Sequence, residues 1–326
     1  MGYTYSLEFE PHDDRLSVTD TASGRTVDFI WGHAKELMYL IANENNISRE
    51  NLIHAALIYN DSYREVLAGI YKQYIDIATR HQLPLMLMTP TRRANTERIS
   101  GSVYRNRDIL RDNVAFLSEL RDTASTPVYI GGLAGCQGDA YDGRYHLSVE
   151  EATQFHYPTV RALAEAGADY LFAGIMPQLT ETIGMANAMA ATGLPYIISF
   201  MIRRDGRLLD GSFIHDAIDT IDKEATTRPL CYMANCVHPD VLHQALSHSH
   251  NDTPLVRERF QGLQANASVL TPEELEGCTH LESSSPEELA DRLMTLLWDF
   301  PLKICGGCCG TDERHLNSFA EILTQR

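Results

Sequence analysis

Residues 148–173 read SVEEATQFHYPTVRALAEAGADYLFA, and this stretch decides the fold. Ser148 followed three residues later by Glu151 is a capping-box pattern, in which each side chain satisfies the other's backbone N–H at the start of a helix. Val149 to Ala166 then reads as a helix, and Gly167 supplies its stop, because glycine enters the left-handed conformation without steric cost. The chain runs straight on into Tyr170 to Ala173, apolar throughout, as a strand covered on both faces must be.

Outward from this unit the alternation repeats. Strand-like runs lie upstream at Leu16 to Asp20, Pro84 to Met88 and Pro127 to Gly131. Others lie downstream at Tyr196 to Ile202, Leu230 to Ala234, Phe260 to Ala265 and Leu302 to Cys305. Tyr63 to Arg80 carries Val66, Leu67, Ile70, Tyr71, Tyr74 and Ile77 as an i, i+3/i+4 stripe, and Pro286 stands in the first turn of another helix. Eight strand-like runs alternating with helices in 326 residues predict an α/β chain. The expected architecture is a (β/α)8 TIM barrel, a single domain over 1–326, with extra N-terminal helices in the long interval from Phe29 to Arg80. An open doubly wound sheet is the rival that the pattern alone leaves standing.

Composition narrows the partners. A formal charge of −17 repels phosphate backbones, so nucleic acid is not expected. No run approaches the ~18 to 20 apolar residues of a membrane span. Met1 to Asp14 is polar and acidic, unlike a secretory signal, so the expected location is cytoplasmic. Small molecules are the expected partners, and a homo-oligomer is left open.

There are seven cysteines, an odd number, and no export signal, which argues against a disulfide framework. Near the C-terminus Leu302-Lys303-Ile304-Cys305-Gly306-Gly307-Cys308-Cys309-Gly310-Thr311 carries a strand into a glycine-rich turn with adjacent thiols. Asn235-Cys236 stands just past another strand, so in a barrel all three sulfurs reach one rim. Three ligands would leave a zinc ion one open position, the mark of a catalytic site. Packing of small buried thiols, or a vicinal redox pair, explains the same residues. Cys305 reads as packing, and Cys136, Cys231 and Cys278 as structural.

With these residues in view, the sequence resembles the homocysteine S-methyltransferase family. Gly306 to Thr311 followed by Asp312-Glu313-Arg314-His315-Leu316 is similar to that family's last motif. Asn235-Cys236 with Pro239 is similar to its Asn-Cys motif, and Ile198-Ser199-Phe200 with Asp205-Gly206-Arg207 and Asp210-Gly211-Ser212 to its strand-5 segment. Ala265-Asn266-Ala267-Ser268 is similar to its strand-7 segment. The resemblance implies an enzyme with one Zn²⁺ on Cys236, Cys308 and Cys309, transferring a methyl group from a sulfonium or similar donor to homocysteine, giving methionine, or to a related thiol. It also implies Asp20 as a catalytic or substrate contact, Asn235 as a supporting catalytic residue, and Thr89 and Asn266 as substrate contacts. Two alternatives stand beside it: a non-catalytic zinc-thiolate protein that binds a small thiol, and an acceptor module for a separate corrinoid protein.

The departures from the family pattern cluster in the recognition elements. The turn Asp20-Thr21-Ala22-Ser23-Gly24 lacks the glycine pair that relatives carry. Thr89-Pro90-Thr91-Arg92 stands for Thr-Asn-Thr-Tyr, and Ala173-Gly174-Ile175 for Phe-Glu-Thr, so the glutamate that helps hold the substrate ammonium is gone. Glu181 is a candidate replacement; Arg92 reads first as a solvated loop residue and, where it faces the pocket, would suit an acidic group on the thiol. Gly131 to Gly138 lacks the spacing of a nucleotide loop and reads as pocket wall. His238, His243, His248 and His250 read as solvated helix histidines ahead of metal ligands, with His238 nearest the cysteines, and Tyr141 and Tyr145 as loop aromatics that either shape the donor site or simply pack.

Overall fold

The computed structural model describes residues 5–10, 15–20, 25–29, 54–138, 140–141, 146–270, 274, 283–300 and 302–324. Among these the strands form two sheets. The first is antiparallel, ordered β1 (Tyr5–Glu10), β2 (Arg15–Asp20), β3 (Arg25–Phe29). The second is parallel and has seven strands: β4 (Leu85–Met88), β5 (Val128–Gly135), β6 (Tyr170–Met176), β7 (Tyr196–Phe200), β8 (Cys231–Val237), β9 (Phe260–Ala265) and β10 (Ile304–Gly307).

Every one of the seven pairs with its neighbour in sequence. A doubly wound sheet reverses its order at a switch point; this one never does. Sequential order with right-handed crossovers puts the helices on one face and turns the other face inward, as in a barrel. The inward face has its own apolar filling. Tyr170, Phe172, Ile197, Cys231 and Met233 form a buried cluster, joined by Met86, Met88, Leu133 and Ile304. Their two-residue spacing within each strand is that of one sheet face. The main core lies on the other face, against the helices. Burial on both sides is why these strands read as unbroken apolar runs.

The eighth expected strand is corrected. Leu16 to Asp20 is a strand, but it is the centre of the antiparallel sheet and not the first strand of the parallel one. Its Leu-Ser-Val-Thr sequence alternates apolar and polar residues, unlike the unbroken apolar runs of the parallel strands. The four-residue links at 11–14 and 21–24 suit hairpins and are far too short for a parallel crossover.

The helices are α1 (Asp61–Arg80), α2 (Thr96–Ser100), α3 (Ile109–Arg121), α4 (Val149–Glu165), α5 (Leu179–Ala190), α6 (Ile214–Glu224), α7 (Pro239–Leu246), α8 (Pro254–Arg259), α9 (Pro286–Asp299) and α10 (Glu313–Thr324). Both bonds of the Ser148–Glu151 capping box are present on α4, and Ser285 with Glu288 caps α9 in the same way. A 3₁₀ helix at His54–Tyr59 and α1 precede β4; the remainder of the expected helical N-terminal interval lies outside the described residues. No described helix is long and apolar enough to cross a membrane.

Opposite the rim, near the start of β8, a buried ion pair ties the layers together. Asp222 accepts hydrogen bonds from Tyr232 Oη at 2.8 Å and from Arg259 Nε at 2.8 Å and Nη2 at 3.1 Å. At the rim itself, side chains prolong the β4–β5 ladder: Leu133 N–H donates to Thr89 Oγ1 at 3.0 Å, and Thr91 Oγ1 donates to the Leu133 carbonyl at 2.6 Å. This carries β5 four residues past the expected end at Gly131.

Candidate metal centre

Cys236 lies one residue before the end of β8, where the β8–β9 register shifts between Asn235 and Val237. Its φ of 59° is in the left-handed region, which few non-glycine residues adopt. The turn after β10 is tied to the end of β9. Cys308 N–H donates to the Ala265 carbonyl at 2.7 Å, and Ala267 N–H to the Cys309 carbonyl at 3.0 Å. Thr311 Oγ1 closes the turn on the Cys308 carbonyl at 2.7 Å. Gly310 has a φ of 78°, and a Cβ on Gly307 would sit 2.1 Å from Thr311 Oγ1, so this turn requires both glycines.

The three sulfurs lie within 4.8 Å of one another, a spacing from which all three could hold one metal ion. Cys236 Sγ is 3.7 Å from Cys309 Sγ and 2.7 Å from Cys308 Sγ. A tetrahedral zinc with Zn–S of about 2.3 Å has S···S edges of about 3.8 Å. The Cys236–Cys309 edge already has that length, and a metal would spread the Cys236–Cys308 pair by about 1 Å. Cys236 is buried and Cys309 exposed, so the cluster opens to solvent on one side.

The donor set calls for a cation. The contact with Cys308 draws the Cys236 thiol down, but the Cys309 contact, burial and repulsion from a second thiolate outweigh it and push it up to about 12. Cys308 is raised well above the ordinary thiol value by its contacts with Cys236 and Cys309 and by burial. Three thiolates at this spacing repel one another, and a divalent cation at their centre removes that repulsion.

Asn235 positions the site through the backbone. Its Oδ1 accepts from Ile175 N–H at 3.0 Å and from Ser199 Oγ at 2.6 Å, joining the ends of β6, β7 and β8. Ile175 also sits at positive φ, 56°, which for a β-branched residue is a rare conformation that costs about 1–3 kcal/mol. Two strained residues thus flank one shared acceptor. The Tyr141 hydroxyl donates to Cys236, and burial followed by repulsion from the three cysteines raises its own pKa well above normal.

The other candidates disperse. Thr89 is fully buried and its hydroxyl is committed to Leu133 N–H and Thr91. Asn266 is tied to Val237 by its N–H at 3.0 Å, while its buried Oδ1 has no partner among the described residues. Asp20 ends β2 in the antiparallel sheet, and no strand pairing joins it to the rim. Glu181 Oε1 accepts from Gln137 N–H at 2.7 Å and meets buried His156 Nε2 at 3.0 Å, so it anchors the loop after β5. Asp312 accepts from His315 and Arg314; burial would raise its pKa, but these partners outweigh it and hold the carboxyl well below its usual range.

His238 caps α7 by accepting from Asp240 N–H, and burial lowers its pKa. His243 meets Asp299, His250 meets Asp216, and His248 lies against the Phe213 ring. Cys305 packs on the main core, Cys231 lies in the cluster on the inward face of the parallel sheet, and Cys136 contacts the Gly138 carbonyl. Cys278 and Tyr145 lie outside the described residues.

Sequence reasoning missed Arg98 on α2. Its Nη2 donates to the carbonyls of Gln137 at 3.0 Å and Gly138 at 3.4 Å, and its buried Nη1 has no partner among the described residues. The available signal was three arginines, 92, 93 and 98, within seven residues of a chain with net charge −17. Ser199 was part of a quoted motif, but its bond to a residue 36 positions away left no local trace.

The homocysteine S-methyltransferase family profile matches residues 32–323, a span that leaves out β1, β2, β3 and Asp20. The chain is 30% identical over 178 residues to the homocysteine S-methyltransferase of Escherichia coli strain K12, covering 53% of this chain and 54% of that protein. It is 29% identical over 119 residues to homocysteine S-methyltransferase YbgG of Bacillus subtilis strain 168, covering 35% of this chain and 38% of that protein. The chain thus spans about half the length, or less, of the curated relatives it matches. The crystal structure of the metallated form of the homocysteine methyltransferase MmuM from Escherichia coli superposes with a TM-score of 0.63, covering 82% of this chain and 86% of that one, at 22% identity, which establishes a common fold.

Proposed function

Since the chain belongs to the homocysteine S-methyltransferase family, we propose that it is an enzyme that methylates the sulfur of a small thiol, homocysteine or a related one, with zinc held by Cys236, Cys308 and Cys309. The observation that carries this reading is the convergence of three sulfurs within 4.8 Å at the C-terminal ends of β8 and β10. When bound, zinc supplies a Lewis acid with one open position that keeps a substrate sulfur ionised at neutral pH, where a free thiol of pKa about 8.5 is mostly protonated.

The chain's own residues do the rest. Asn235 holds the strand ends so that Cys236 presents its sulfur to the other two. Tyr141 donates to Cys236 and damps its excess charge. Asn266 offers a buried, unpartnered carbonyl oxygen at the rim and is assigned to substrate contact. Thr89, through Leu133, shapes the pocket wall. Asp20 belongs to the proposal as a contact from the N-terminal hairpin. In the transfer, the thiol proton goes to solvent and a sulfur lone pair forms the new S–CH₃ bond. The bond from the methyl carbon to the donor heteroatom, a sulfonium sulfur in the simplest case, breaks and leaves its electron pair there. The reading also takes the seven parallel strands to belong to a closed (β/α)8 barrel, in one domain.

Metal content tests the core of this proposal. Wild-type protein should hold one zinc per chain and Cys308→Ala close to none. Wild-type protein that takes up no zinc, or a variant that retains it in full, would refute the site.

A further inference from the structure

The charges around the rim run against the charge of the chain. The protein carries −17 overall, yet the segment after β4 brings Arg92, Arg93 and Arg98 together over the end of β5. Arg92 lies so close that a Cβ on Gly135 would be 2.8 Å from its Cγ. Burial lowers the Arg98 pKa, and Arg93 and Arg92 lower it further by repulsion, with Cys136 and, more weakly, Glu97 opposing them. Arg98 spends Nη2 on two carbonyls and keeps a buried Nη1 without a partner. Among the described residues no carboxylate forms an ion pair with Arg92 or Arg98. A buried guanidinium N–H with no acceptor is costly, and an oxyanion is the ligand that matches its planar fork.

This seat is coupled to the sulfur cluster through one short loop. Arg98 grips the carbonyls of Gln137 and Gly138, and Tyr141, three residues on, donates to Cys236. Three residues span at most about 11 Å of chain. On the neighbouring strand, Gly174 supplies no ammonium-binding side chain, and Leu133 leans over it. A Cβ on Gly174 would meet Leu133 Cδ1 at 2.8 Å. The carboxylates of Glu181 and Asp312 are already engaged, the first by Gln137 and His156, the second by Arg314 and His315.

We infer that Arg92 and Arg98 seat an anionic group of the acceptor, so that the substrate is a thiol acid recognised through its oxyanion and not through an ammonium. This rests on the thiol methyltransferase reading and adds the substrate class. The cationic seat also attracts anionic thiols toward the rim of an otherwise acidic protein.

Two fragments of homocysteine separate the features: 4-mercaptobutanoate lacks the ammonium, and 3-aminopropane-1-thiol lacks the carboxylate. Each is titrated by calorimetry into the zinc-loaded protein, and into the cobalt-substituted protein, where sulfur-to-cobalt charge-transfer absorption reports the thiol on the metal. The acid should bind at least ~30-fold more tightly than the amine, and at least as well as homocysteine, since one to two charge-assisted hydrogen bonds distinguish them. A 3-mercaptopropane-1-sulfonate arm tells carboxylate from sulfonate recognition, and either one exceeding the amine supports the inference. Arg98→Gln should weaken the acid roughly ten- to hundredfold and leave the amine within about threefold. Arg92→Gln, which removes no contact to the β5 loop carbonyls, should act in the same direction.

Equal binding of acid and amine would overturn the inference. So would equal losses for both in Arg98→Gln with no selective loss in Arg92→Gln, or homocysteine surpassing the acid by more than about tenfold. A protein that binds no metal, or whose bound metal shows no thiol band with any probe, would instead refute the methyltransferase reading, and this inference with it.

Discussion

Replacing Asn235 by alanine should destabilise the protein by about 2–4 kcal/mol and loosen the metal site at the same time. The magnitude follows from what Oδ1 does. It accepts from the Ile175 N–H at 3.0 Å and the Ser199 hydroxyl at 2.6 Å, all within buried residues. A buried donor stripped of its acceptor costs about 1–3 kcal/mol, so two set a range of about 2–6 kcal/mol. The upper part of that range is not reached. The Ser199 hydroxyl can rotate toward another acceptor, and release of Ile175 from φ 56° returns part of about 1–3 kcal/mol of backbone strain. Ser199→Ala removes one donor and leaves the Ile175 bond, so it should cost about 1 kcal/mol. Asn235→Asp keeps an acceptor for both donors but buries a carboxyl beside the thiols, so it should recover only part of the loss. Urea unfolding of the metal-free variants measures these differences, and chelator competition measures zinc affinity, which should fall ~10- to 100-fold in Asn235→Ala, as it does when an orienting partner is lost. An Asn235→Ala protein no less stable than Ser199→Ala, with unchanged zinc affinity, would refute the reasoning.

Other expectations can be checked on the same protein. Asp222→Ala leaves the half-buried Arg259 guanidinium and the buried Tyr232 hydroxyl without their carboxylate and should cost ~2–3 kcal/mol in a urea melt with zinc stoichiometry unchanged, because the pair lies at the opposite end of the strands. Burial pushes the Cys231 thiol up to about 11. The neutral thiol therefore contributes stability that is present below the unfolded thiol value and lost as pH rises through 11, on the order of 3 kcal/mol; Cys231→Ala should flatten that alkaline decline, and an unchanged pH slope would contradict it. Glu181→Ala strands the Gln137 N–H and the His156 ring and should cost ~2–4 kcal/mol, with proteolytic cleavage rising in residues 136–141.

The parallel sheet was legible because its strands are buried twice, by helices outside and by the Tyr170–Met233 cluster inside, so each reads as an apolar run. The same criterion applied to Leu16–Asp20 went wrong because a five-residue alternating strand and a short buried strand differ by only two side chains. The hairpin-length links on either side were the better signal. The sulfur triad was legible because few residue types bind soft metals and a Gly-Gly-Cys-Cys-Gly turn has few other uses. The role of Asn235 was legible only as a motif, since its two partners are 60 and 36 residues away and are identified by a backbone N–H and a serine.

The rim therefore divides into two halves with different chemical demands. The ends of β8, β9 and β10 hold atoms whose element matters: sulfur must be sulfur, and the turn that delivers it must pass Gly307 and Gly310. The ends of β4, β5 and β6 hold shape and charge, which many residues can supply. There Leu133 occupies the space beside Gly174, and Arg92 and Arg98 bring positive charge to the loop that Glu181 anchors. Gly174 offers no carboxylate, and Arg92 and Arg98 bring positive charge; both are unfavourable for binding an ammonium and the second favours an oxyanion, so they act on the same choice of substrate. On the proposed reading the family's sulfur chemistry is kept while its acceptor changes, because the anionic end of the thiol is read by Arg92 and Arg98 beside β5 and not by the three sulfurs.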